Sequence, residues 1–282
     1  LVVKVDTFVE STDLPREMKL DDAARKSIVS CVSDFAAKGV RPVFGIVSIT
    51  IPKKISRSNI ESIAKGFQRA AREFRLKILG GDTNEGKELV ITFSLFGTTK
   101  KIVGRRGAKI DDVIITSGSF GYTGAGLSIL LKNKKSSRKF DSKAKDTVFK
   151  PKCRLLFGLK SKKYFSSSMD SSDGLSTTLN EMSSQSKKKF VITTMPSEND
   201  LYDFATLNNL NPNDLILNSG EEYEIVATTN KSNLSKIKNH AKKYRIKIYE
   251  IGYVTKGMGV FYKKNGKLVR IKDGGWQHLQ KH

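Results

Sequence analysis

The spacing of apolar positions changes along the chain, and each change marks an element. Leu1 to Glu10 alternates and is rich in β-branched residues, which predicts a strand. Between Asp21 and Lys38 the apolar residues Ala24, Ile28, Val32, Phe35 and Ala36 recur at helical spacing. Asp21 and Asp22 suit the helix start and Gly39 its stop. Pro42 to Ile51 reads as a strand. Asn59 to Phe74 reads as a second amphipathic helix, with Ile60, Ile63, Ala64, Phe67 and Ala71 inward. Leu76 to Leu79 predicts a short strand ending at Gly80-Gly81-Asp82, and Glu88 to Thr98 a further strand.

A turn-rich passage from Lys101 to Lys109 separates this half from the next and marks a domain boundary. A strand over Asp112 to Ser117 runs into the glycine-rich loop Gly118 to Gly126, within which a helix starts. Lys132 to Lys152, dense in lysine, reads as an exposed loop. Helices follow near Arg154 to Leu159, from Leu175, over Asn199 to Leu207 and over Leu234 to Lys243. Strands are predicted at Lys189 to Thr194, Tyr223 to Thr228, Ile246 to Val254 and Val260 to Tyr262. The mixture is α/β or α+β in two halves.

Composition narrows the function classes. No apolar run approaches the ~20 residues needed to cross a bilayer, so no membrane partner is expected. The two cysteines, Cys31 and Cys153, form no metal-binding pair pattern and no disulfide framework, which makes the reducing cytoplasm the default location. The three histidines, His240, His278 and His282, all stand late in the chain, which disfavours a histidine-centred mechanism. Lys and Arg total 51 against 28 Asp and Glu, a net charge of +23. Such a surplus suits a nucleic-acid partner, an anionic small substrate, or merely a lysine-rich solvated surface. The lysines are scattered and no aromatic platform interleaves with them, which favours the last and disfavours nucleic acid.

In so basic a chain, carboxylates beside Gly and Ser are conspicuous. Besides Asp6 they stand in Ser33-Asp34, Gly80-Gly81-Asp82-Thr83, Asp170-Ser171-Ser172-Asp173-Gly174 and Ser219-Gly220-Glu221-Glu222. Hard oxygen donors of this kind suit Mg²⁺, and phosphoryl transfer needs cations on the reacting oxygens. Each motif also has a plainer reading. Asp34, off its helix's apolar stripe, reads by itself as a solvated residue. Gly81-Asp82 serves equally as a turn. Ser172 or Asp173 would cap the helix that follows, although capping does not require Asp170 as well. The loop Gly118 to Gly126 matches phosphate-cradling loops only in a general way. No Walker A or protein-kinase motif set is present.

The order of these pieces resembles the thiamine-monophosphate kinases of the aminoimidazole-ribonucleotide-synthetase-like ATP-binding superfamily. The resemblance rests on Val5-Asp6-Thr7-Phe8-Val9-Glu10, Ser33-Asp34-Phe35-Ala36-Ala37-Lys38-Gly39-Val40-Arg41-Pro42, Gly80-Gly81-Asp82-Thr83, Arg105-Arg106-Gly107-Ala108, Asp170-Ser171-Ser172-Asp173-Gly174-Leu175 and Ser219-Gly220-Glu221-Glu222-Tyr223-Glu224. It implies an N-terminal α/β domain over residues 1–107, with a mixed sheet that pairs with a second copy to form a homodimer, and a C-terminal α+β domain over 108–282. The implied reaction converts ATP and thiamine monophosphate into ADP and thiamine diphosphate with Mg²⁺.

By position, the resemblance makes Asp6, Asp34, Asp82, Asp170 and Asp173 metal ligands, with Asp34, Asp82 and Asp170 the catalytic set. Gly81, Asp82, Arg105 (or Arg106) and Ser172 would meet ATP, and Glu221 and Trp276 the thiamine portion. A core anchor is the competing reading for Trp276. The chain departs from the family in three places. The family carries a G-D-D-A element ahead of the first strand, which Asp21-Asp22-Ala23-Ala24, after that strand and inside a helix, does not match, so the expectation is either a preceding segment missing from this chain or a different metal site. Lys4 and Val5 stand where members often carry Ser or Thr. The histidine usual after V-E-G is replaced within Val9-Glu10-Ser11-Thr12-Asp13. Another ATP-using enzyme of the superfamily is the alternative. A basic nucleic-acid-binding protein with a degenerate site is a more remote one.

Overall fold

The computed structural model describes residues 1–277, so His278 and His282 lie outside the described residues. The first half runs β1 (Val2–Val9), α1 (Glu10–Asp13), α2 (Leu20–Lys38), β2 (Arg41–Pro52), α3 (Arg57–Phe74), β3 (Lys77–Gly86) and β4 (Val90–Thr98). Its four-stranded sheet has the order β1-β4-β2-β3, with β2 and β3 parallel and the other pairs antiparallel.

The second half runs β5 (Val113–Thr116), α4 (Tyr122–Lys132), α5 (Arg138–Phe149), α6 (Leu155–Ser161), β6 (Ser167–Asp170), α7 (Leu175–Ser186), β7 (Lys189–Ile192), α8 (Asn199–Leu207), α9 (Pro212–Asn218), β8 (Ile225–Thr229), α10 (Leu234–Lys243), β9 (Tyr249–Thr255), β10 (Gly259–Lys264) and β11 (Lys267–Arg270). Seven strands order β11-β10-β7-β9-β5-β8-β6 in a mixed sheet. No described helix is long and apolar enough to cross a membrane.

Helix α2 joins the halves. Ile28, Val32, Phe35 and Ala36 are buried in one cluster with Phe93 and Leu95 of β4 and with Leu155, Phe157, Ile225 and Ala227 of the second half. Each large side chain buried this way contributes about 1.5–3 kcal/mol. Its acidic first turn is held by α3, since Arg69 donates to Asp21 at 2.9 Å and to Asp22 at 2.6 Å. Glycine is required where α6 crosses α2, because a Cβ on Gly158 would lie 2.0 Å from the carbonyl oxygen of Ala36.

Two predicted segments differ. The strand expected to stop at Leu79 continues to Gly86, because parallel pairing with β2 resumes after a bulge and carries Gly80 to Gly86 along Ile46 to Pro52. The lysine-rich stretch expected as a loop contains helix α5. Ser137 caps it by accepting from the Phe140 amide, and Phe140, Ala144 and Val148 give it a buried stripe one turn apart. Helix α9, with Asn211 as its cap and Pro212 in its first turn, was not predicted either.

The glycine-rich loop is closed from within the chain. The carboxylate of Glu222 accepts the amides of Gly121 at 2.7 Å and Thr123 at 3.2 Å, at the start of α4. These amides are therefore already satisfied, and the loop is not an open phosphate cradle. Burial pushes the Glu222 carboxyl up to about 8. The two amides oppose this, and the like charge of Glu224 adds to it.

Two outcomes follow. Gly158→Ala forces α6 off α2 and should lower stability by about 2–4 kcal/mol in urea unfolding. For Glu222 the folded state holds the proton more tightly than the unfolded one, so its stabilising effect is complete in acid and disappears as pH rises from about 4.5 to 8. Glu222→Gln, neutral throughout, should gain on the wild type across that window by ~2–4 kcal/mol. A pH-independent difference would refute this.

Candidate active site

Strand β1 turns Lys4, Asp6 and Phe8 to the same side by the alternation of a strand, toward the helices, while Val3, Val5 and Thr7 face the other way. Helix α2 brings Ser33 and Asp34 over this side near its C-terminal end, and β6 ends on Asp170 beside them. The Lys4 ammonium lies 2.7 Å from an Asp34 oxygen and 3.7 Å from Asp6. Ser33 donates its hydroxyl to Asp170 at 2.7 Å, within the fully buried part of the site. The Lys38 amine, one helical turn beyond Asp34, donates to the Ser168 carbonyl at 2.7 Å. Asp6, Asp34 and Asp170, far apart in sequence, are thus gathered where β1, α2 and β6 meet.

The electrostatics follow from this crowding. Burial, with Asp34 close by, pushes the Asp170 carboxyl up to about 7, against the pull of Ser33, Lys38 and Lys4. Burial also raises Asp6, opposed by Lys4. Burial lowers Lys38 to about 8, with Asp170 pulling it up and Arg105 adding like charge. Burial works against the Lys4 charge too, but Asp34, with Asp6 and Asp170 behind it, holds that ammonium above the ordinary lysine range.

The loop after Asp170 is braced by the Glu221 segment. The amides of Glu221 and Tyr223 donate to the carbonyls of Ser172 and Ser171 at 2.6 and 2.9 Å. Glu221 and Tyr223 both take left-handed backbone, with φ of 61° and 51°. Glu221 points to α2, where the buried ammonium of Lys26 meets it at 2.7 Å. Trp276 donates its amide to the Asp173 carbonyl at 2.9 Å, which lays the C-terminal segment across this loop, and its side chain is about half exposed. Arg105 lies 3.5 Å from Glu181 and within electrostatic reach of Lys38.

Asp82 and Gly81 are placed differently from expectation. Asp82 is not at a strand end but within β3. Register aligns Asp6 with Phe93, Val47 and Gly81 in one row, and Thr7 with Thr92, Ser48 and Asp82 in the next. The hydroxyls of Thr7 and Thr92 meet at 3.0 Å on the open face. Asp82 therefore lies on the face opposite Asp6, exposed and bonded to Asn84 at 2.6 Å. A Cβ on Gly81 would sit 1.6 Å from the Val47 carbonyl oxygen, so this glycine permits the β2–β3 contact.

Among the described residues, no group of three or more His, Cys, Asp or Glu side chains is arranged to hold a metal ion. The donors are nevertheless of the kind Mg²⁺ takes. They are hard carboxylate oxygens, and buried Asp170 has only a hydroxyl against the oxygen that Ser33 engages. The set fits a divalent cation in chemistry, with Lys4 already pressed against two of its members. The lysines were not foreseen as parts of the site. The signals were present: Lys26 stands between buried helix positions, and Lys4 stands two residues from Asp6 on one strand face.

Comparison with known proteins was consistent across the chain. Residues 1–99 match the family model for the AIR synthase related protein, N-terminal domain, and residues 109–263 that for the C-terminal domain. A thiamine-monophosphate kinase of Nitrosopumilus maritimus is 55% identical over 280 residues, covering 99% of this chain and 89% of the relative. One of Pyrococcus horikoshii is 33% identical, covering 99% and 86%. The solved structure described as AaThiL complexed with AMPPCP and TMP superposes with a TM-score of 0.86 at 29% identity, covering 98% of this chain and 86% of that one. Structures of the hydrogenase maturation protein HypE, at 15–19% identity, share the fold alone. With such identity over almost the whole length, and both domain models matched in order, the chain belongs to the thiamine-monophosphate kinase family.

Proposed function

We propose that this chain transfers the terminal phosphoryl group of ATP to thiamine monophosphate, with Mg²⁺, giving thiamine diphosphate and ADP. The 55% identity to a named thiamine-monophosphate kinase carries the reading. The gathering of Asp6, Asp34 and Asp170 between the halves supports it. The acceptor is a phosphate, already anionic at neutral pH, so it needs no strong general base. The work left to the protein is alignment and charge neutralisation.

Asp34, Asp170 and Asp173 would hold Mg²⁺, with Asp6 beside them on Lys4, and the ion when bound neutralises phosphate oxygens as charge shifts between them. Arg105, within electrostatic reach of Lys38, would suit an ATP phosphate. Ser172 lies on the loop that nucleotide would meet. Glu221 and the half-exposed Trp276 face the cationic, flat thiamine portion in this reading.

The working unit is a homodimer. The open face of the first sheet exposes Val3, Val5 and Ile46, a patch that no described helix covers. Pairing this face with that of a second copy would cover it. Asp82 would then act from the dimer interface rather than beside Asp6 of its own chain.

Incubation with ATP, Mg²⁺ and thiamine monophosphate should yield thiamine diphosphate, identified by anion-exchange chromatography. Product formed only from aminoimidazole or selenide substrates would overturn the reading. Asp34→Asn should lower kcat at least ~100-fold while the fold persists by circular dichroism. Refolding Asp34→Asn together with Asp82→Asn chains should restore part of the activity if Asp82 serves across the interface. No recovery in mixed dimers would return Asp82 to a role within one chain or to none.

A further inference from the structure

We infer that the Lys4 ammonium is a built-in cation of the active site, occupying one of the positions that a divalent metal ion would otherwise take. Lys4 stands on the same face of β1 as Asp6 and meets Asp34 at 2.7 Å and Asp6 at 3.7 Å. The pair is not a solvated surface contact. The Lys4 and Asp34 side chains are 33% and 21% exposed, next to the buried Ser33–Asp170 contact of α2 and β6. An ion pair at such a place is screened far less than one in open water.

The stoichiometry of charge leads to the same assignment. A Mg²⁺ ion needs oxygens at about 2.0–2.1 Å in near-octahedral array. The Asp34 oxygen nearest β1 is already engaged by an N–H donor, and Asp6 lies within the same ammonium's reach. A metal bridging Asp6 and Asp34 would have to expel Lys4 and leave its charge beside the ion. A metal at Asp170 would not, because Ser33 rather than Lys4 is the neighbour there. Lys4 thus closes the Asp6–Asp34 position to a metal and leaves the Asp34–Asp170 side open. Seryl or threonyl side chains at position 4 carry no charge and would leave both sides to metal.

This inference rests on the kinase reading only in taking a metal–nucleotide complex as the ligand of the site. The test is a Mn²⁺ titration of the full chain, saturated with AMPPCP, followed by the electron paramagnetic resonance signal of free Mn²⁺. Lys4→Thr should bind one Mn²⁺ more per chain than the wild type. Lys4→Met, which keeps the stem but drops the charge, should at least bind Mn²⁺ about tenfold more tightly. Lys4→Arg, which keeps the charge, should retain the wild-type count. Equal counts and equal affinities in Lys4→Thr, Lys4→Met and the wild type would overturn the proposal. The product assay on the wild type separates the two claims. Product without a change in Mn²⁺ binding rejects the lysine role alone. A change in Mn²⁺ binding without product rejects the kinase reading alone.

Discussion

Asp170 is a carboxylate with almost no water around it, and a charge in such a place must be balanced by its neighbours. Much of the local architecture answers this requirement. Ser33 turns its hydroxyl to Asp170, Lys38 approaches from the same helix, and Lys4 reaches in from β1 to hold the adjacent Asp34. Even so, burial, with Asp34 close by, keeps the carboxyl up at about 7. A buried acid left short of compensation costs stability, and a chain keeps such an acid where something other than stability is served.

The position of helix α2 makes this balance possible. Its apolar stripe packs on β4 on one side and on β8 and α6 on the other, so its register is fixed by both halves at once. Ser33 and Asp34 ride on that register. Lys26, two turns earlier on the helix, is buried yet paired with Glu221 of the second half, which ties the loop after Asp170 to the same rod. A small rotation of α2 would break the core on two sides, and so the side chains at its polar end are held in place by hydrophobic packing rather than by their own weak bonds.

The parts of this arrangement that were legible in the sequence were those written in a period. The stripe Ile28, Val32, Phe35 announced α2, and alternation announced β1. The stripe Phe140, Ala144, Val148 was just as regular, but the lysines between these residues masked it, and charge was read as exposure. The end of β3 was misplaced because Gly80-Gly81 looks like a turn in sequence, whereas in the fold the bulge lets pairing resume beyond it. The bulge also sends Asp82 to the face opposite the cluster, since a one-residue shift of register inverts every side chain beyond it. The convergence of Asp6, Asp34 and Asp170 was implied only by the resemblance to the kinase family, which also placed Asp82 among them. The lysines beside them were not implied, because a period locates a side chain on a face but does not say which charge from another element will meet it.

The net charge of +23 takes a different meaning once the acids are located. The surplus lies in scattered lysines, whereas the site itself concentrates carboxylates. A broad positive field draws polyanions toward the molecule at long range. At contact, a bare phosphate would be repelled by Asp34 and Asp6 and admitted only with a cation between. On the proposed reading the two scales would act as a filter, in which the surface draws any phosphate and the carboxylates admit one that arrives with metal. Lys4, Lys38 and Arg105 moderate the second step, because they lower the charge that the incoming cation has to neutralise. On that reading, a chain with this arrangement would need less from its metal than one built of acids alone, and would give up some of the free carboxylate oxygens that a second ion requires.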